Sequence, residues 1–394
     1  MRYFVLIPDG AAEKFERGTP LEKAKTENLD YLARKSFLGV ARTIPHGLPP
    51  GSDIGTLSIL GYDPYKFAKG RAPLELSAKG VDIPEKALVF RMNLVKVKDG
   101  VILDHSAGHI KDEEAKKIIE KLNLNLKDFL QSNKMKIFFG KSYRNYLLWE
   151  IDDEKKLNEY EKTPHIPPHD ILGQKIEKFI TPIKELRELT KLCEEILKSE
   201  SNSANSVWFW GQGRKIVLPQ FEKIYGKRAH LVSAVDILRG IGKLAGINVI
   251  DVPGITGYID SNFEGKVDYI LDNTKDGEIG IIHVEATDET GHEGDPEKKK
   301  YAIEIFDKRV LGRLLEKTKD ENIKILVIPD HPTPCEIRTH SPEPVPFLIY
   351  PCICNNGKCF FCSKQRFTEL SALSNGVFFD GRLVLKFFLS EKNR

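Results

Sequence analysis

The chain has 394 residues, 41% apolar and 30% charged, enough for one large domain or two ordinary ones and too apolar for a disordered segment. Lys plus Arg number 60 and Asp plus Glu 57, and a formal charge of +3 excludes the one-signed surface of a dedicated nucleic-acid or membrane-surface binder. No stretch reaches the roughly 18 consecutive apolar residues of a membrane span, and the apolar run over 3–8 is too short, and too soon followed by Asp9 and Glu13, for a secretory signal. The cytoplasm is the expected location.

Residues 3–8 (YFVLIP) read as a buried strand, and 28–36 as the helix after it. The stretches 92–97 and 100–103 form a hairpin around Lys98-Asp99. A helix over 110–122 and strands over 136–139 and 146–151 follow, then a Pro-rich loop over 163–168. Residues 184–198 are an amphipathic helix, and 206–210 a strand. Further along, 279–286 (IGIIHVEA) is a strand, with a Lys- and Glu-rich helix over about 296–319 after it. The run 324–329 (KILVIP) shows no alternation, so this strand is covered on both faces. Strands and helices alternating at this spacing predict an α/β fold with a mostly parallel sheet and helices on both faces. The middle reads as a separate α+β unit over 93–182, inserted into a core domain formed by 1–92 and 183–394.

The carboxylates fall where strands end. Asp9 follows VLIP, Asp288 comes just after the strand ending at 286, and Asp330 follows LVIP. In a parallel sheet these exits share one edge, where open α/β folds place their ligands. A single Asp in such a place is ordinarily a helix cap or turn residue. Three gathered together repel one another unless cations neutralise them. Histidines sit beside them: His292 four residues after Asp288, His331 directly after Asp330, and His340 in a loop rich in proline. Mixed Asp and His ligation suits Zn²⁺ or Mn²⁺ better than Ca²⁺, which prefers oxygen alone, so the set predicts a site for two metal ions.

Pro49-Pro50-Gly51-Ser52-Asp53 makes a sharp bend ahead of a short apolar helix. Ser52 can be read as the cap of that helix. It can also be read as a nucleophile, since a divalent ion favours the alkoxide and a helix N-terminus welcomes a phosphate on its oxygen.

With these motifs the chain resembles the archaeal-type, cofactor-independent (2,3-bisphosphoglycerate-independent) phosphoglycerate mutases of the alkaline phosphatase superfamily. The resemblance is carried by IPDG at 7–10, GSDIGTLSILGYDP at 51–64, GRAPLE at 70–75, HDILGQ at 169–174 and WGQG at 210–213. It continues through DVPGITGYID at 251–260, HVEATDETGHEGD at 283–295 and PDHPTP at 329–334. It implies an alkaline phosphatase-like core with an inserted substrate-handling domain. It also implies an isomerase of glycolysis and gluconeogenesis that interconverts 3- and 2-phosphoglycerate through a phosphoserine on Ser52. Asp9, Ser52, Asp330 and His331 would bind one divalent ion, and Asp288, His292 and His340 the other, with Mn²⁺ or Zn²⁺ expected and Mg²⁺ or Co²⁺ as alternatives. The expected partner is a small phosphorylated hydroxy-acid, with neither nucleic acid nor membrane, in a monomer or homo-oligomer. Substrate cations are sought at Arg144 and Arg214, with His105 and His169 as further candidates. A related phosphotransferase of the homoserine kinase kind, or a phosphomonoesterase, would use the same site, and a non-catalytic metal-stabilised binding protein is the reading from another class.

Two departures from the family pattern stand out. Gly55-Thr56 occupies the place of Ala-Asn or Gly-Asn, so a hydroxyl replaces an amide near the nucleophile. In the segment 350–365, Cys352, Cys354, Cys359 and Cys362 crowd around Gly357. They are candidate ligands of a structural Zn²⁺, with disulfides or unliganded thiols as the alternatives.

Overall fold

The strand Arg2–Pro8 is apolar along its length because both its faces are covered, and every residue from Tyr3 to Pro8 is buried. It lies at the centre of a mixed sheet in the computed structural model, which describes residues 1–198, 203–352, 354–355, 358–359 and 365–390. Among these residues eight strands make that sheet. Their order is Phe378–Asp380, Phe37–Arg42, Val345–Tyr350, Ile323–Val327, Arg2–Pro8, Ile279–Val284, Ala229–Val232 and Asn248–Val249. The last five run parallel to one another, whereas Val345–Tyr350 is antiparallel to both of its neighbours. Helices such as Glu27–Ala33 and Phe263–Asn273 pack a core against the sheet around Phe4, Leu6, Leu29, Leu32, Ile282 and Val284.

Register places the acids. Leu6 pairs with Val327, so Asp9 and Asp330, each three residues on, leave the sheet at the same level. Pro8 pairs with Val284 on the other side. That strand stops at Val284 and a helix begins at Ala286, so Asp288 sits in the first turn of the helix Ala286–Glu293.

The chain divides into two compact units, Met1–Ala68 with Leu218–Arg394, and Lys69–Val217. The second therefore extends beyond the segment 93–182 expected from sequence. The strand Ala87–Lys98 starts before that segment and pairs with Arg144–Glu150 and with Ser206–Gly213, so its hydrogen bonds draw both flanks into one antiparallel sheet. Val101–Asp104 and Met135–Lys141 complete that sheet, and the helices Asp112–Asn125 and Lys184–Leu197 pack a separate core on it. In the cysteine-rich segment Cys354–Asn355 pairs with Lys358–Cys359. Cys362 lies outside the described residues, as do the side chains of Cys354 and Cys359, so the zinc expectation there stays an expectation. No helix among the described residues is long and apolar enough to cross a membrane.

Buried charges tie the first strand exit to its surroundings. Lys299 donates to the carbonyls of Ala12 and Thr333 and to Glu13 Oε1 at 2.7 Å. Glu369 accepts from the backbone N–H of Glu13 and from the Thr19 hydroxyl, each at 3.0 Å. Burial pushes the Glu369 carboxyl up to about 7 in spite of those donors. A carboxyl raised in this way contributes fully to stability only below its unfolded value, about 4.3, and the contribution is lost as pH rises through the folded value. Between about pH 4 and pH 8 the loss is on the order of 3 kcal/mol. Glu369→Gln should flatten this part of the stability profile, so that the variant gains on the parent as pH rises. Urea midpoints of both proteins at acidic and mildly alkaline pH check this, and parallel profiles would refute it.

Candidate functional site

The strand exits and two loops bring Asp9, Ser52, Asp288, His292, Asp330, His331 and His340 together. Asp330 Oδ1 accepts the backbone N–H of Gly10 at 3.2 Å and of His331 at 3.0 Å, which leaves Oδ2 facing inward. Asp330 Oδ2 and Asp9 Oδ1 are both buried and have no hydrogen-bond partner. His331 Nε2 lies 3.4 Å from Asp9 Oδ1, 3.5 Å from Asp330 Oδ2 and 3.2 Å from Ser52 Oγ. On the second side, Asp288 Oδ2 is 3.3 Å from His292 Nε2 and Asp288 Oδ1 is 3.5 Å from His340 Nε2. The two imidazole nitrogens are 2.9 Å apart.

The histidine tautomers follow from the far side of each ring. Nδ1 of His292 meets the carbonyl of Arg338 at 3.0 Å, Nδ1 of His340 that of Pro50 at 3.3 Å, and Nδ1 of His331 that of Pro332 at 3.3 Å. A carbonyl oxygen only accepts, so Nδ1 carries a proton, and in the neutral ring each Nε2 turns a lone pair inward. Lone pairs and carboxylate oxygens set about 3 Å apart in a buried space are the donor arrangement of a cation site, since neighbouring ligands of a Zn²⁺ with bonds of about 2.0–2.2 Å lie about that far apart. Three groups answer to this among the described residues: Asp288 with His292 and His340, Asp9 with Asp288 and His331, and Asp9 with His283 and Asp330. The residues present fit divalent metal.

The electrostatics agree. Burial, with repulsion from Asp330 and Asp288, holds the Asp9 carboxyl well above its ordinary range. Burial opposes ionisation of Asp288 too, but the imidazoles of His292 and His340 outweigh it and hold that carboxyl well below the usual value. Burial works against a charged His292 as well, and the Asp288 carboxylate overrides it to raise that ring to about 9. Without a cation, protons resolve part of the charge conflict. Burial pushes His331 down, which keeps it a neutral donor.

Ser52 is the first helical residue of Ser52–Ile59, and the cap is Gly51, with no side-chain capping bond. The cap reading of Ser52 is thereby corrected: its Oγ faces His331 Nε2 rather than the helix backbone. The helix approaches Asp330 so closely that a Cβ on Gly55 would fall 2.3 Å from the Asp330 carbonyl. Thr56 is buried, and its Oγ1 has no hydrogen-bond partner.

The candidates in the smaller unit separate into two groups. The His105 ring stacks edge-on against Tyr143 and His169, with centroids 5.8 and 5.9 Å away. Arg144 lies over the Tyr143 ring at 4.9 Å. Asp104 holds the loop that carries His105 by accepting from Ser106 and Gly108. Burial lowers both His105 and His169, and nearby arginines add to the effect. Arg214 stands apart: its guanidinium is committed to Glu161, Glu154 and Asn158 at 2.8–3.0 Å, all on the helix Glu154–Lys162. It is a clamp on that helix, which corrects its reading as a substrate cation.

Sequence reasoning missed Thr333 and His283. The Thr333 hydroxyl donates to Asp288 Oδ1 and sits 3.2 Å from His331 Nδ1, which orients both. His283 is fully buried, with Nε2 3.1 Å from Asp9 Oδ2. Its signal was present as a lone polar residue inside the apolar run IGIIHV.

A family model described as the Metalloenzyme superfamily matches residues 1–374. A 2,3-bisphosphoglycerate-independent phosphoglycerate mutase of Methanosarcina barkeri is 42% identical over 391 residues, covering 94% of this chain and 95% of the relative. One from Methanothermobacter thermautotrophicus is 38% identical, covering 89% and 88%. Among solved structures, a protein from Pyrococcus horikoshii superposes with a TM-score of 0.77 at 26% identity, over 99% of this chain and 98% of that one. A cofactor-independent phosphoglycerate mutase from Thermoplasma acidophilum shares the fold at a TM-score of 0.62 and 22% identity, over 99% of both chains.

Proposed function

The chain belongs to the 2,3-bisphosphoglycerate-independent phosphoglycerate mutases of the Metalloenzyme superfamily, and we propose that Ser52 carries the phosphoryl group between the two hydroxyls of glycerate. The reaction is the metal-dependent interconversion of 3- and 2-phosphoglycerate, an isomerase step of glycolysis. Asp9, Ser52, Asp330 and His331 would hold one divalent ion and Asp288, His292 and His340 the other. Carboxylate and imidazole donors together favour Mn²⁺ or Zn²⁺. Bound there, such ions offset charge on the phosphoryl oxygens and acidify the serine hydroxyl.

The rest falls to the protein. Ser52 Oγ loses its proton and bonds to phosphorus while the bond from phosphorus to the glycerate 3-oxygen breaks, and that oxygen takes up a proton. The glycerate turns, its 2-hydroxyl gives up a proton as its oxygen bonds to the phosphoserine phosphorus, and the bond to Ser52 Oγ breaks and that oxygen takes up a proton. The N-terminus of Ser52–Ile59 offers its positive end to the phosphoryl oxygens during both transfers. Arg144, His105 and His169 of the smaller unit are the candidates for recognising substrate, Arg144 by its charge and the two imidazoles as neutral hydrogen-bonding groups.

The observation that carries this reading is the position of Ser52 Oγ, 3.2 Å from His331 Nε2 within the ring of inward-facing donors. Protein mixed with 3-phosphoglycerate and Mn²⁺, then quenched in acid, should yield one phosphopeptide, modified at Ser52. Phosphate on another residue, or turnover with none trapped under any condition, counts against it. Chelation should reduce interconversion to background, and added Mn²⁺ or Zn²⁺ should restore it.

A further inference from the structure

Four imidazoles, not three, turn a ring nitrogen toward the carboxylate cluster. The fourth, His283, lies in the central strand Ile279–Val284, whose other residues are all apolar or glycine. A fully buried histidine there is costly unless both ring nitrogens are satisfied. Nδ1 is satisfied: it lies 3.1 Å from Glu285 Oε1 and 3.2 Å from the Ser233 hydroxyl. Glu285 is held as a carboxylate by the buried Lys266 ammonium, by the backbone N–H of Ala234 at 2.6 Å and by Ser233 at 3.2 Å. Lys266 also donates to the His283 carbonyl at 2.8 Å. A carboxylate only accepts, so the His283 proton sits on Nδ1 and Nε2 presents its lone pair.

That lone pair has no hydrogen-bond partner. Nε2 stands 3.1 Å from Asp9 Oδ2, out of line for a hydrogen bond, so two electron-rich atoms are side by side in a buried space. Asp9, His283 and Asp330 each aim one donor atom into the same small volume, all within 4.8 Å of one another. The 3.1 Å between His283 Nε2 and Asp9 Oδ2 matches the spacing of neighbouring ligands on one ion whose bonds are about 2.0–2.2 Å long. His283 also repeats the pattern of His292, His331 and His340, with an acceptor fixing Nδ1 and a lone pair turned inward. Its acceptor is a carboxylate, the stronger second partner for a metal-bound imidazole.

We propose that His283 is an additional ligand of the divalent ion held by Asp9 and Asp330, with Glu285 and Lys266 as the positioning pair behind it. The proposal rests on the metal-dependent reading above and adds one donor to that site. The alternative arrangement is a doubly protonated His283 bridging Glu285 and Asp9, with no bond to metal.

The test uses the whole protein, freed of metal and loaded with an NMR-active cadmium isotope alone, with its histidines labelled at the ring nitrogens. Scalar coupling between cadmium and nitrogen reports each bond directly. Four coupled Nε2 nitrogens are expected, from His283, His292, His331 and His340. Glu285→Gln should keep the His283 coupling while weakening cadmium affinity roughly 10–100-fold. His283→Gln should remove one coupled nitrogen and weaken one of the two binding steps by at least that factor. If two cadmium ions bind and His283 Nε2 stays uncoupled, the proposal fails while the metal-dependent reading stands. If no cadmium binds, that reading fails and takes the proposal with it. The wild-type spectrum decides the question even if His283→Gln does not fold.

Discussion

Ser52→Ala should lower the rate of phosphoglycerate interconversion by roughly 10⁴-fold or more while leaving the fold intact. The variant removes one oxygen. That oxygen makes no capping bond to its helix, whose cap is the backbone of Gly51, and its contact is with His331 Nε2. The cost in stability should therefore stay within about 1 kcal/mol, as for substitutions that create neither a cavity nor an unpaired buried group. A coupled assay for 2-phosphoglycerate, thermal unfolding and metal analysis of the same preparation separate the cases. Loss of activity with both ions retained identifies the nucleophile, whereas loss of an ion would show that Ser52 serves chiefly as a ligand. Full activity in the variant would end the phosphoserine assignment.

Gly10→Ala should be nearly as damaging, for a different reason. Gly10 has φ +59°, in the left-handed region, and follows Asp9 directly. A Cβ there would lie 2.4 Å from Thr333 Oγ1, 2.5 Å from Asp288 Oδ1 and 2.9 Å from Asp288 Cα. The backbone term costs about 1–2 kcal/mol, and forcing atoms into a filled space about 1–3 kcal/mol more. The displaced groups matter more than the strain. Asp288 is a proposed ligand, Thr333 orients it, and Gly10 N–H holds Asp330 Oδ1. A shift of about 1 Å in such a constellation can cost on the order of 100-fold in rate, so weakened metal binding and a fall of at least that size in kcat are expected. Gly18→Ala is the control. Gly18 has φ +80°, but a Cβ would meet only the flexible end of Lys23 at 3.6 Å. If the two variants lose stability and activity alike, backbone strain alone explains both and the steric argument fails.

How much of this was legible beforehand differs from residue to residue. Asp9, Asp288 and Asp330 could be read off because a strand buried on both faces has no room for carboxylates until it ends. His292 and His331 were found by their nearness to those acids in sequence. His340 was found as a histidine in a proline-rich loop, but its partner carbonyl, Pro50, lies far away along the chain. Arg214 was misread because a cation after a glycine-rich turn looks free until its three acceptors on Glu154–Lys162 are seen. The extent of the smaller unit was misread because strand partners, unlike strands, leave no local signal. Helix Phe263–Asn273 looks like an ordinary surface helix, and nothing in FEGKVDYI marks Lys266 as fully buried.

By itself the sequence determined the mostly parallel α/β core, the family, the acidic strand exits and the serine that faces them. These are set by local patterning, by the alternation or absence of it along a few residues, and by motifs carried whole. Tertiary structure alone decided the sheet register that levels Asp9 with Asp330, the tautomers set by carbonyls distant in sequence, and the line from Lys266 through Glu285 and His283 to Asp9. A hydrogen-bond partner or a shared cation acts across a few ångströms of space, and residues far apart in the chain carry no trace of that distance until the sheet has paired.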